Sequence, residues 1–181
     1  MIVARLLGTP RPYEYGRRPS TGNHLETAQV IKVEYVGLNP VDAQFAKSGF
    51  CLWQYPHVLG LDAVGVVVKA GKGVFPGVGE RVMWHASIGE QGVLSEYAKV
   101  PNYAVSIIPK QLASDKAATL PCAGMAALIS LDKLAVSEGD TLFVEGGAGA
   151  VGQFAIQFAK QRSADVFTTA SKRLKTVNSN Q

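Results

Sequence analysis

The chain has 181 residues, is 47% hydrophobic and carries 18 Lys+Arg against 14 Asp+Glu, a net charge of +4. That is apolar content for one large domain or two small ones. The basic residues are dispersed rather than gathered on one face, so no nucleic-acid partner is expected.

The longest uncharged run, Ala117–Leu131, contains Pro121, Gly124 and Ser130. A spanning helix needs about 20 apolar residues, so this run reads as a buried helix and no membrane partner is expected. The two cysteines, Cys51 and Cys122, lie far apart and form neither a disulfide framework nor a CxxC metal motif. No basic stretch followed by an apolar segment opens the chain. A reduced, cytoplasmic setting is the expectation.

From Met1 to about Pro109 the pattern predicts short strands between Gly/Pro turns, as in an all-β barrel or sandwich. "QVIKVEYVGL" (29–38), "LDAVGVVVKAG" (61–71), "GERVMWHA" (79–86) and "GVLSEYAKVP" (92–101) are the strand candidates. The character changes near residue 114. "SDKAATLPCAGMAALISLDKL" predicts helix, with Ser114 as cap and Pro121 breaking it in two. "TLFVE" (141–145) predicts a buried strand. "AVGQFAIQFAKQ" predicts a helix with Val151, Phe154, Ala155, Phe158 and Ala159 on one face. "ADVFTTA" (164–170) closes a parallel strand–helix–strand unit. The expected domains are 1–113 and 114–181.

Within that unit, Gly147-Ala148-Gly149-Ala150-Val151-Gly152 matches G-x-G-x-x-G, after a strand and opening a helix. The expected roles are a tight turn at Gly147, close pyrophosphate approach at Gly149, and helix–strand packing at Gly152. The helix N-terminus at Ala150 and Val151 adds N–H groups and partial positive charge. A glycine-rich turn without a ligand is the plainer alternative. An NAD site usually has an acid at the end of the second strand, about 20 residues on. Here that end reads Thr169-Ala170-Ser171-Lys172-Arg173, and the nearest acid, Asp165, opens the strand. A hydroxyl and two cations suit a 2′-phosphate, so NADPH is expected on Ser171, Lys172 and Arg173.

With these residues in view, the sequence resembles the medium-chain dehydrogenase/reductase superfamily, and its zinc-independent quinone reductase and enoyl reductase branch. The resemblance is carried in order by "GLNPVDAQFAKSG" (37–49), "YPHVLGLDAVGVV" (55–67), "GERV" (79–82), "GVLSEYAKVP", "AATLPCAGMAAL" (117–128) and "GGAGAVGQFAIQFAK" (146–160). It implies a mixed β and α/β fold: a GroES-like β-barrel substrate domain, then a Rossmann domain, with the active site in the cleft between them. It also implies a longer protein. The sequence ends as the second Rossmann helix should begin, so an incomplete Rossmann domain is expected. An unfinished sheet would leave a strand edge open to self-association into a homo-oligomer.

In the family's alcohol dehydrogenases a Cys and a His-Glu pair help hold zinc. Those positions look like Asn39 and Leu61-Asp62 here, and Asn and Leu are not zinc ligands. His24, His57 and His85 are widely spaced, so no metal is expected. Without a Lewis acid, the resemblance implies hydride transfer from NADPH to a quinone or an α,β-unsaturated carbonyl. Asn39 is the candidate catalytic residue, bonding cofactor or substrate carbonyl, with a plain turn role before Pro40 as the alternative. Asp42 is expected to support the loop. Enoyl reductases of this group often place a Tyr after the "NP.D" loop, where this chain has Gly49–Trp53. Tyr55 is close but directly precedes Pro56. Leu120, Pro121 and Cys122 are expected near the nicotinamide or in the core. The alternative is an inactive family member that binds nucleotide weakly or serves as a structural or partner unit.

Overall fold

The computed structural model describes residues 3–5, 28–51, 53 and 57–171. In chain order the elements are β1 (Val3–Arg5), β2 (Ala28–Gly37), α1 (Pro40–Ser48), β3 (Asp62–Lys69), β4 (Arg81–His85), β5 (Tyr97–Pro101), a 3-10 turn (Asn102–Ala104), β6 (Val105–Ile107), α2 (Ser114–Ala117), α3 (Pro121–Lys133), β7 (Thr141–Val144), α4 (Ala150–Gln161) and β8 (Asp165–Thr168). Two compact units divide the chain: Arg18–Cys122 in one, Met1–Arg17 with Ala123–Gln181 in the other.

The first unit is built on a five-stranded sheet in the order β5-β2-β3-β4-β6, antiparallel at every ladder. Its central strand, β3, is buried on both faces, which is why "DAVGVVVK" reads as an apolar run rather than an alternation. Ala63 and Val67 point to one core with Ile31, Val82, Trp84, Val93 and Val100. Val64, on the other face, packs with Ile108, Ala117 and Ala118, against which Met83 and Leu112 rest. Side chains alternate along a strand. Asp62 therefore shares the face of Val64, and His85 the face of Met83. Both point toward the side that α2 covers.

The second unit is an α/β layer. β7 and β8 run parallel, from Thr141↔Asp165 to Val144↔Thr168, joined through α4. β1 adds antiparallel on the other side of β7. The strand order is β1-β7-β8, so β8 has no partner on its outer side among the described residues. The core holds Leu131, Leu142, Val144, Ala155 and Ala159, with Val151, Phe154 and Phe158 packed at its margin. The predicted helix face is thus the inward one. Among the described residues no helix is long and apolar enough to cross a membrane.

Three local expectations change. Helix α1 replaces a loop: Asn39 is its N-cap residue, Pro40 opens it, and the Asn39 N–H donates to Asp42 Oδ2 at 2.7 Å. Second, Ser114 does not cap α2. Ala113 holds that position, and the Ser114 hydroxyl accepts from Arg81 Nη2 at 2.8 Å. Third, β5 begins only at Tyr97, because the N–H groups of Gly92, Val93 and Leu94 bond to Val58, Gly60 and Leu59 instead. The break at Pro121 stands as expected.

Candidate functional site

The glycine turn leaves β7 at Val144 and enters α4 at Ala150. Its left-handed residue is Gly146, at φ +72, and not Gly147. Gly147 is required for packing: a Cβ there would meet Thr168 Oγ1 on β8 and stand 2.8 Å from Ile156 Cδ1. Gly152 lets α4 pass beneath the turn, since its Cβ would stand 2.7 Å from Gly147 Cα. Gly149 differs. A Cβ there would meet only the Gly146 carbonyl oxygen, at 3.2 Å, so packing inside the protein asks little of this position.

Gly149 is the N-cap of α4, no side chain caps the helix, and no acid lies in its first turn. The first intrahelical bond runs from the Gln153 N–H to Gly149 O at 2.9 Å. The N–H groups of Ala150, Val151 and Gly152 precede it and point off the positive end of the helix dipole. A side-chain-free approach to an uncapped helix N-terminus fits the pyrophosphate of a dinucleotide. The end of β8 is fastened to this turn: Gly146 N–H donates to Thr169 Oγ1 at 3.1 Å and Gly147 N–H to Thr169 O at 2.9 Å. Ser171 follows two residues on and is exposed. Asp165 sits at the opposite end of β8, across from Thr141. Lys172 and Arg173 lie outside the described residues.

A second constellation lies wholly in the first unit, around Asp62, which is 0% exposed. Three donors converge on its carboxylate. His85 Nδ1 is 2.6 Å from Oδ1, Asn39 Nδ2 donates to Oδ2 at 2.9 Å, and the Cys122 N–H donates to Oδ2 at 3.0 Å. The sheet register explains the first contact, because Asp62 and His85 are partners on the β3–β4 ladder. Gly37, the opposite neighbour of Asp62 on β2, brings the chain to Asn39 two residues later. A Cβ at Gly37 would collide with the Ala118 carbonyl, so α2 seats directly on this strand end and carries Cys122 toward Asp62. An unpaired buried carboxylate costs several kcal/mol. Three donors offset that.

The amide nitrogen of Asn39, expected to meet cofactor or substrate, is thus engaged by Asp62. Nearby, Asp42 is buried, and its Oδ1 has no hydrogen-bond partner among the described residues. The Cys122 thiol is held above its ordinary value by burial first, then by the charges of Asp62 and Asp42. It stays a neutral thiol.

Asp62, His85 and Cys122 bring a carboxylate, an imidazole and a thiol within 4.8 Å of one another. Spacing alone did not suggest this meeting. The geometry is that of a hydrogen-bond network and does not fit zinc as it stands. Ligand atoms around a tetrahedral zinc with bonds near 2.0 Å sit roughly 3.3 Å apart, against 2.6 Å between Oδ1 and Nδ1. Both Asp62 oxygens also already accept hydrogen bonds.

An aromatic cluster adjoins α1. Trp53 stacks on His57 with ring centroids 3.9 Å apart and 13° between planes, and Phe45 meets Trp53 edge-on at 5.2 Å. The Trp53 indole N–H donates to Ile88 O at 2.6 Å. Phe45, Ser48, Trp53, His57 and Leu59 line an open hollow. Tyr55 lies outside the described residues.

Comparison with known proteins agrees with this architecture. Residues 26–110 match the alcohol dehydrogenase GroES-like domain. A zinc-type alcohol dehydrogenase-like protein of Staphylococcus epidermidis is 36% identical over 151 residues, covering 79% of this chain and 44% of that protein. The 2-methylene-furan-3-one reductase of Solanum lycopersicum is 37% identical over 145 residues, covering 75% of this chain and 37% of that one. Among solved structures, the quinone oxidoreductase of Thermus thermophilus, described with its NADPH complex, superposes with a TM-score of 0.67 at 28% identity, covering 90% of this chain and 50% of that one. The chain belongs to the medium-chain dehydrogenase/reductase superfamily. It spans less than half the length of these two curated relatives.

Proposed function

We propose that this chain contributes the GroES-like substrate domain and the pyrophosphate-binding turn of an NADPH-dependent oxidoreductase that reduces quinones or α,β-unsaturated carbonyls without zinc. In this reading the unit Arg18–Cys122 takes the part of the substrate domain expected at 1–113, and the unit that holds β1 and Ala123–Gln181 takes the part of the incomplete Rossmann domain expected at 114–181. The observation that carries it is the uncapped N-terminus of α4, opened by a glycine whose missing side chain the internal packing does not require. The relatives named as quinone oxidoreductase and furanone reductase support the substrate class.

The chain's own groups divide the work. Gly149 and the N–H groups of Ala150, Val151 and Gly152 hold the pyrophosphate. Ser171, Lys172 and Arg173 hold the 2′-phosphate. Bound NADPH supplies a hydride. The first unit supplies a polar cluster around Asp62 and an aromatic hollow suited to a flat conjugated ring.

Competition between 2′,5′-ADP and 5′-ADP tests the phosphate assignment. A charge-assisted hydrogen bond is worth about 1.5–3 kcal/mol. The 2′-phosphate should therefore tighten binding about 10- to 100-fold. Equal affinities would remove Ser171, Lys172 and Arg173 from the cofactor site. No binding of either would favour a chain that serves as a structural or partner unit.

A further inference from the structure

We propose that His85, held through Nδ1 by the buried Asp62, is the proton donor that takes charge of the carbonyl oxygen of the reduced substrate. The proposal rests on the oxidoreductase reading above and adds a residue to it. Asp62 is inaccessible, whereas the His85 side chain is 26% exposed. With Nδ1 occupied, Nε2 is the ring nitrogen that remains, and no hydrogen bond of a described residue reaches it. Asn39 Nδ2 and the Cys122 N–H hold the other oxygen of Asp62, so the carboxylate is fixed against rotation and so is the ring it orients. A buried carboxylate held by three donors keeps the imidazole it bonds in one orientation and one tautomer. It is the arrangement that fixes an imidazole for proton transfer.

The chemistry gives such a donor a task. A hydride, given up with its bonding pair from a C–H bond of the reduced nicotinamide cofactor, would form a C–H bond at the β-carbon of an enone. The alkene pair becomes a Cα–C π bond, and the carbonyl pair moves onto oxygen. In its imidazolium form His85 breaks its Nε2–H bond, the enolate oxygen forms O–H, and the lone pair returns to Nε2. The enol then tautomerises in water, and His85 regains a proton from water. The other polar groups of the cluster serve this step poorly. The Asn39 amide is engaged, and Asp62 and Asp42 are acceptors. The Cys122 thiol, facing those two carboxylates, is a weaker acid than usual. His85 is the group left to act.

The test uses 4-nitrophenolate as an oxyanion probe on the full chain without NADPH, alongside NADPH calorimetry and turnover of 2-cyclohexen-1-one. His85→Gln should weaken 4-nitrophenolate binding at least about tenfold, and H85K should restore part of it, because each removes or replaces one charge-assisted bond. General-acid removal should lower enone turnover by about 10²–10³-fold, with NADPH affinity unchanged. Asp62→Asn should move the same way, with a smaller loss. Wild-type chain with no affinity for the probe, or an H85Q chain that matches it in both binding and turnover, overturns the proposal. Failure of NADPH to bind overturns the oxidoreductase reading instead, and probe binding still decides the role of His85. Circular dichroism of each variant separates loss of fold from loss of the proton donor.

Discussion

Asp62 and His85 face each other across the β3–β4 ladder with Oδ1 and Nδ1 2.6 Å apart, the aspartate sealed from solvent and the histidine reaching it. The pair is set by register. Asp62↔His85 and Val66↔Arg81 belong to one ladder, so any slip of β4 by a residue would turn His85 to the opposite face. Asn39 and the start of α3 complete the cluster from two other elements.

Removing the hub should loosen the first unit. Asp62→Ala leaves His85, Asn39 Nδ2 and the Cys122 N–H without their acceptor. The loss should be about 2–4 kcal/mol, since unsatisfied buried partners dominate such deletions. Urea denaturation followed by Trp fluorescence measures it, and an unchanged midpoint would show that the network contributes nothing.

The three glycines of the turn should separate by role. Gly147→Ala and Gly152→Ala place a Cβ against Thr168 and against Gly147, and each should destabilise the fold by about 1–3 kcal/mol, the usual scale for overpacking. Gly149→Ala has room apart from Gly146 O, so the fold should hold while NADPH affinity drops at least about tenfold. Thermal melts and calorimetry on the three variants decide between this pattern and a uniform one.

The elevated Cys122 thiol makes a pH prediction with a definite sign. Burial, Asp62 and Asp42 raise it above its ordinary value of 9.0, so the folded state holds the thiol proton more tightly than the unfolded state. That contribution to stability is fully present below pH 9 and is lost as pH rises above it. The urea midpoint should therefore fall more steeply with pH above 9 in the wild type than in Cys122→Ser. Parallel curves would contradict it.

The chain purified with zinc present should retain none in stoichiometric amount, because the Asp62–His85 contact closes the space between two of the three ligand atoms. Elemental mass spectrometry after dialysis reads this directly. One zinc per chain, lost in C122S and H85Q, would replace the hydrogen-bond network by a metal centre.

Much of the fold was legible in the sequence. The central strand, β3, was readable as an unbroken apolar run because it is buried on both sides. Helix α4 was readable from Val151, Phe154, Ala155, Phe158 and Ala159, which do face the core. Helix α1 is faint in the sequence because only Phe45 and a buried Asp42 mark its nine residues, although Asn39-Pro40 followed by Asp42 is a helix-start signal. His85 makes no ligand pattern with His24 and His57, and it stands 23 residues from Asp62 and 37 from Cys122 in sequence. Only the strand pairing and the seat of α2 on Gly37 bring the three together. The turn role expected of Gly147 falls to Gly146 for a similar reason. The string G-x-G-x-x-G is silent about which neighbour must turn left-handed and which must clear Thr168.

The most direct measurement is calorimetric titration of the 181-residue chain with NADPH and, separately, with NADH. The proposed cofactor site predicts saturable one-to-one binding of NADPH, about 10- to 100-fold tighter than NADH, as expected for one or two added phosphate contacts. Absence of heat with both nucleotides, or equal affinity for the two, would contradict it.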